Sequence, residues 1–552
     1  MSRGRQCPGY RNLFDAVHKL DNPASTERKL ASAKSSSGSG SPSSDVLELR
    51  TLTRSSFQRT PESDGDDCNV SKVDDLSLMI VPSRNVETES IYWFFRNYVS
   101  VPRDPTTNIF IEHILPLYSN APAGSALSLA TNAIALEIMQ MWFSRTTGSH
   151  LARKYYGQAM LQLTETLQDE VESKNDDTLA TVFMFDFYDG LRKRFAGFID
   201  SGAHQTGAIA LLRHRGKKNF ENPTARRMYT AIRSRHISYA LEHCKKVMLE
   251  PHMLDEDETQ QPATQLDFVN AALAELNVYA EAGPKAAGIN TLDFYQLIMA
   301  KALLLDRKLQ AWRASLPLSW QPVVVPISKV HPSIRAAGVY KDMVEVYSSL
   351  EVSHVHNAAR SSHFNLLRMI ELCQRESEAQ GQLRLEPDLQ AYLDQQTQTI
   401  IDGFCASIPY HLGNRTVLTL PHERCEYPPV PPELRRLTNY VDAMGHHTQM
   451  TMKDHSRAAA AIGGWFLITP LVGFLSTPLM TRTKIGPPPT HFLSKIRPGQ
   501  LEWIRSQLVR IKEIYLLPQD LEGGTPRMKQ AEIPPIPGPD TGKAWKRLLW
   551  AL

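Results

Sequence analysis

The stretch from Ala123 to Phe143 limits what this chain can fold into more than any other. Read as a helix it is apolar on nearly every face, with Leu127, Leu129, Ile134, Leu136, Ile138, Met141 and Trp142 spread around the axis. A helix that is apolar all round is buried at the centre of a large protein or inserted in a membrane. Asn132, Glu137 and Gln140 within it argue against lipid, so we expect a central helix enclosed by others. A chain of 552 residues is long enough to enclose it, as one large domain or two closely packed ones.

The surrounding pattern predicts an all-α body from residue 86 to 518. Ile91, Tyr92, Phe94, Phe95, Tyr98 and Val99 place an aromatic face on about three helical turns near its start. A short helix around Asn108–Tyr118 follows. His150–Glu172 reads as amphipathic, with Tyr155, Tyr156, Ala159, Leu163 and Leu167 on one side. Asp176 and Asp177 look like a cap for a helix over Leu179–Asp189 that stops at Gly190. A further helix runs from Ser201 to Gly216, and its small residues permit close backbone approach. Helical patterns continue over 223–248, 265–282, 290–315, 334–378 and 386–407. The last block comprises Asp454–Met480 and Leu501–Leu516. Val323–Val325 is the best strand candidate, bracketed by prolines, and Leu420–Pro432 reads as an extended loop.

Outside this body, residues 15–85 read as a disordered linker. Leu13, Val17 and Leu20 share a helical face that Pro23 ends, too short for a coiled coil. The Ser/Gly run Ser35–Ser44 has too little apolar surface to offset its ordering entropy. Residues 519–552 form a Pro/Gly-rich tail that closes with Trp545-Lys546-Arg547-Leu548-Leu549-Trp550.

Motifs that carry chemistry are scarce. The net charge of +3 is too small to imply nucleic-acid binding by the body as a whole. The first 34 residues form a local basic patch, with seven Lys/Arg against three Asp/Glu. Ala458–Thr481 has no charged residue over 24 positions. Pro470, Pro478 and three glycines interrupt it, which favours a buried hairpin over a membrane span, so no membrane association is expected. His354, His356 and His363 lack a carboxylate or cysteine placed to complete a metal site, and they read as an ordinary helical surface, as does the pair His446-His447. His204 beside Ser201 has no strained nucleophile turn and reads as structural. The phosphate loop, the dinucleotide fingerprint and the H-E-x-x-H pair are all missing, so the chain is not expected to be an enzyme. The basic clusters Arg192–Arg194 and Arg213–Lys218 flank predicted helix ends, where cations meet the negative end of the helix dipole. Six scattered cysteines, none in a C-x2-C pair, read as reduced and mostly buried thiols.

Arg3-Gly4-Arg5-Gln6-Cys7-Pro8-Gly9-Tyr10 resembles the closing segment of the fungal binuclear zinc-cluster DNA-binding domain. The body is similar to the helical regulatory region that follows such clusters. The stretches that carry this likeness are Tyr155–Leu163 with Asp176-Asp177, the pattern His204, Gly207, Ala208, Leu211-Leu212, Gly216, the helix Ile400–Gly413, Ala458–Leu471, and Trp503-Ile504. The resemblance implies a nuclear regulator of RNA polymerase II genes, of a metabolic or secondary-metabolite set, with DNA and protein partners and a possible homodimer. In the intact family zinc is the cofactor. Here residues 1–14 hold a remnant whose single ligand, Cys7, cannot build a tetrahedral site, so no zinc is expected in this chain. The expectation is a regulator with an incomplete cluster. The alternative is an interaction protein that lacks its own DNA-binding domain and modulates related factors.

Overall fold

The computed structural model describes residues 85–515, apart from 145–147, 197–201, 249–258, 382–386, 422 and 476–495. Cys7, the expected linker, the expected tail with Trp545–Trp550, and Ser201 lie outside the described residues. Within them the chain is all-α, with sixteen α-helices and two very small sheets.

Helix α1, Val86–Phe94, starts where Asn85 Oδ1 accepts from the amides of Glu87 and Thr88. It passes directly into a π-helical turn, Phe95–Val99. After α2, Ile114–Asn120, comes the central helix α3, Ala126–Ser144. Ala130, Ala133, Ile134, Ala135 and Ile138 are at most 1% exposed on α3. The expectation of a central buried helix holds. Each large aliphatic side chain enclosed here contributes about 1.5–3 kcal/mol. Packed around α3 are α1, α4, His150–Thr166, and α5, Asp176–Ala196. Helices α6, Ala203–Arg215, and α7, Pro223–His243, complete this first group. Gly216 ends α6 at φ 55°, a left-handed conformation that disfavours a side chain.

Two expectations fail in this half. Helix α5 does not stop at Gly190 but runs on to Ala196, because the next residue, Leu191, is buried and packing carries the helix through. Asp176 opens the helix, yet its carboxylate accepts from Arg215 Nη2 at 2.5 Å and Asn222 Nδ2 at 3.1 Å. It ties α5 to the helices that follow.

The second group starts with the pair α8, Pro262–Ala287, and α9, Thr291–Ser315. Strand β1, Val323–Val325, is the expected strand. It pairs antiparallel with β2, Val344–Val346, which lies inside the region predicted as one helix over 334–378. That region divides into α10, Pro332–Gly338, a turn at Lys341 and Asp342 with φ 50° and 56°, β2, and α11, Leu350–Ala379. Ser349 marks the true start of the long helix, its Oγ accepting from the amide of Val352. Helix α12, Pro387–Leu412, lies against α11 and β2. The stretch 413–431 holds no helix or strand among its described residues, as the prolines foretold.

A short helix α13, Pro432–Arg436, and the pair β3, Tyr440–Val441, with β4, His447–Thr448, lead to the closing block. Helix α14, Met452–Ala458, opens with a reciprocal Thr451/Asp454 cap and passes into a second π-helical turn, Ala459–Gly463. Helices α15, Trp465–Leu475, and α16, Gln500–Tyr515, pack on each other. Buried Ala459, Ala461, Leu467 and Leu471 place the start of the uncharged run in the core. No helix among the described residues is long and apolar enough to cross a membrane.

Candidate functional site

Among the described residues a dense polar network lies on α11, where it faces β2, α12 and the second π-turn. Arg360 donates to Glu345 Oε2 at 2.6 Å, Tyr347 Oη at 2.8 Å and Asn357 Oδ1 at 2.9 Å. The Tyr347 hydroxyl in turn donates to Glu345 at 2.7 Å. The guanidinium lies flat against α12 because position 403 is glycine; a Cβ there would sit 2.7 Å from Arg360 Nη2. Arg313 faces the same carboxylate; its pKa is lowered by burial and by the Arg360 charge, with Glu345 opposing.

Three histidines lie deeper. The Gly463 carbonyl can only accept, so His411 Nδ1, 3.1 Å from it, carries the proton. His411 Nε2 then accepts from Ser353 Oγ at 2.8 Å. His356 Nε2 donates to the Trp320 carbonyl at 2.8 Å, and His455 Nε2 to that of Tyr410 at 3.1 Å. Burial, reinforced by His354 and His455, pushes His411 down to about 3. Burial and the Arg360 charge do the same to His356, and burial lowers His455 to about 4. All three imidazoles are neutral at physiological pH.

Ser353 and His411 have the residue types of a nucleophile and its base, but both are fully buried. Gly463 presses on the carbonyl of His411, which a Cβ would approach to 2.4 Å. The pair acts as a tie between α11, α12 and the second π-turn.

The second π-turn is anchored from outside its own helix. Tyr515 Oη donates to the Ala459 carbonyl at 2.6 Å, and Arg415 Nη1 reaches the Ala460 carbonyl at 3.1 Å and Tyr515 Oη at 2.6 Å. Arg510 donates to the carbonyls of Gly413 and Arg415 at 2.7 and 2.6 Å. The first π-turn lies against it, with the Tyr98 ring 5.6 Å from Trp465. The phenol of Tyr98 accepts from Trp142 Nε1 at 2.7 Å, and burial raises its pKa well above the usual value. π-Turns insert an extra residue into a helix and recur at functional positions.

Several sequence expectations are corrected here. His356 and His363 are buried, not surface residues. His363 Nε2 donates to Asp306 Oδ1 at 2.6 Å, and Tyr392 donates to Asp306 Oδ2 at 2.7 Å. Burial alone would raise the Asp306 pKa, but the bonds from His363 and Tyr392 outweigh it and the pKa falls. His354 stacks on Phe466 with ring centres 4.4 Å apart. The exposed His446 lies 3.5 Å from Asp442. His204 lies 2.8 Å from Tyr156 Oη and 3.3 Å from Asp189. Of the basic clusters, Arg215 is buried in its pair with Asp176, and Arg192 lies over the Tyr188 ring.

Sequence reasoning missed Arg103–Glu351, a pair at 2.8 Å with both side chains 2% exposed, and Arg360–Glu345. Arg103 comes from the loop before α2 and Glu351 from the first turn of α11, 248 positions apart, so no local spacing announces them.

Cys7, the one zinc ligand that the resemblance implies, lies outside the described residues. No group of three or more His, Cys, Asp or Glu among the described residues could hold a metal ion. Burial pushes the Cys373 and Cys405 thiols up to about 12, which keeps them protonated. With this geometry in hand, comparison with protein-family models, curated proteins and solved structures returned no match.

Proposed function

We propose that the helical body is the regulatory region of a nuclear transcription regulator of RNA polymerase II genes, as the resemblance to fungal zinc-cluster factors implies. One observation carries this reading. The stretches behind the later part of the resemblance, Ile400–Gly413, Ala458–Leu471 and the helix holding Trp503-Ile504, meet in one interlocked unit. His411 bonds Gly463, Gly463 presses back on His411, and Tyr515 and Arg510 clasp both segments. Stretches distant in sequence that carry a family likeness and then close on one another are what a shared architecture requires. In this reading the body supplies partner contacts, and Cys7 belongs to the DNA-binding side of the lineage.

The test tethers the full chain to a heterologous DNA-binding domain upstream of a reporter and follows its distribution between nucleus and cytosol. Nuclear enrichment with a change in reporter transcription is the expected result. An unchanged reporter, with the chain excluded from the nucleus, overturns the proposal.

A further inference from the structure

The α1/α3 junction leaves an aromatic edge on the surface. Phe143 is 52% exposed in the last turn of α3, and half-buried Trp93 meets it edge-on at 5.8 Å. This edge is joined to the end of the described chain through rings in contact. Trp93 lies 5.5 Å from Trp142, and Trp142 lies 6.4 Å from Tyr515, the last residue of α16. Tyr515, the last described residue, is thus linked to the exposed edge through the Trp142 and Trp93 rings.

Beyond Tyr515 the sequence runs through a Pro/Gly-rich connection into Trp545, Leu548, Leu549 and Leu552. These fall at i, i+3, i+4 and i+7, on one helical face, with Lys546, Arg547 and Trp550 on the other. An apolar stripe of this kind is stable as a helix only when it packs against something.

We propose that the aromatic edge formed by Trp93 and Phe143 is a docking surface for the chain's own C-terminal segment, Trp545–Leu552, bound as an amphipathic helix. Position selects this occupant. A connection of 29 residues, 516–544, spans about 30 Å on average if it behaves as a coil, enough to return to that edge. Such tethering supplies an effective concentration in the millimolar range, so an affinity too weak to matter between molecules suffices within one. The stretch 476–495 rejoins the described chain before Gln500, which α16, with 16 residues, separates from Tyr515 by about 22 Å. The N-terminal face of Tyr10, Leu13, Phe14 and Val17 has the same spacing, but 67 residues, 18–84, separate it from Asn85, against 29 here, so its effective concentration at the edge is lower.

The experiment uses a labelled peptide of residues 541–552, read by fluorescence anisotropy against the full chain and against a chain ending at residue 540. The expected result is at least about tenfold tighter binding to the shortened chain, because the full chain's own tail competes. Phe143→Ser in the shortened chain should weaken binding about tenfold, and a peptide carrying Trp545→Ser and Leu549→Ser should not bind. In the full chain, the same two tail substitutions should speed amide exchange at the ends of α1 and α3. Equal binding to both chain lengths, no binding to the shortened chain, or binding indifferent to Phe143→Ser overturns the proposal. A full chain that sediments as a dimer and becomes a monomer on loss of residues 541–552 also overturns it, since the occupant is then a second copy.

Discussion

Helices α3 and α11 are both enclosed on nearly all sides, yet different forces hold them. On α3 the buried face is Ala130, Ala133, Ile134, Ala135 and Ile138, with Glu137 the one buried charged residue. On α11 the buried positions include Glu351, Ser353, His356, Asn357, Arg360, Ser362 and His363. Dispersion and the hydrophobic effect are non-directional, so α3 needs only shape and volume. Hydrogen bonds and buried charges are directional and costly when left unmade, so α11 accepts a single arrangement of its neighbours. The first helix supplies stability, and the second fixes which helix lies where.

The largest effect should come from breaking the α11 network on one side. Arg360→Met takes from Glu345 and Tyr347 the cation that hydrogen-bonds both, leaving only the charge of Arg313 nearby, and should cost about 3 kcal/mol in urea denaturation. Adding Glu345→Leu should recover much of that loss; a double variant as unstable as the single one would show that the pair is worth more than its desolvation.

Acid should act next, and through the same region. The folded pKa of His411 is depressed to about 3, so the unfolded chain binds the extra proton. Its contribution to stability is complete above about pH 6.5 and is lost as pH falls below that, by about 1.4 kcal/mol per pH unit or about 2 kcal/mol at pH 5. Asp267, raised to about 6 by burial, works with the opposite sign, contributing at low pH and losing its contribution as pH rises. The useful quantity is therefore a difference: His411→Gln should reduce the acid dependence between pH 6.5 and 5 by about one proton. An unchanged slope would remove His411 from the account.

On α3, Ile134→Val should cost only about 0.5–1.5 kcal/mol, because the packing there tolerates small volume changes. A loss comparable to that from Arg360→Met would erase the contrast between the two helices. Smallest of all, Arg424→Ala at the exposed pair with Glu426 should shift stability by less than about 0.5 kcal/mol, measured the same way.

The same contrast explains what the sequence made legible. Helix α3 announced itself through its own residues, as did the proline-bounded strand β1. The break inside 334–378 was missed although Gly338, at φ 133°, marks the end of α10, because β2 exists only through its pairing with β1 and the turn itself uses Lys341 and Asp342 at positive φ. Gly190 misled in the other direction, since burial of Leu191 overrode a local stop signal. The polar network was illegible for a physical reason: a histidine's burial is decided by partners such as Trp320 and Asp306 on other elements. Helical periodicity records which face is apolar, and α11 buries faces that are not.

The meeting of the two π-turns has a consequence for how the protein is made. Arg457 donates to the carbonyl of Ser100 across 357 positions of chain, and Tyr98 finds Trp465 in the same place. At about 5–20 residues per second, the ribosome delivers the second partner roughly 20 to 70 s after the first. For that interval the aromatic face of α1 is outside the ribosome without its closing neighbour. Slowing synthesis between residues 100 and 457 would lengthen that interval.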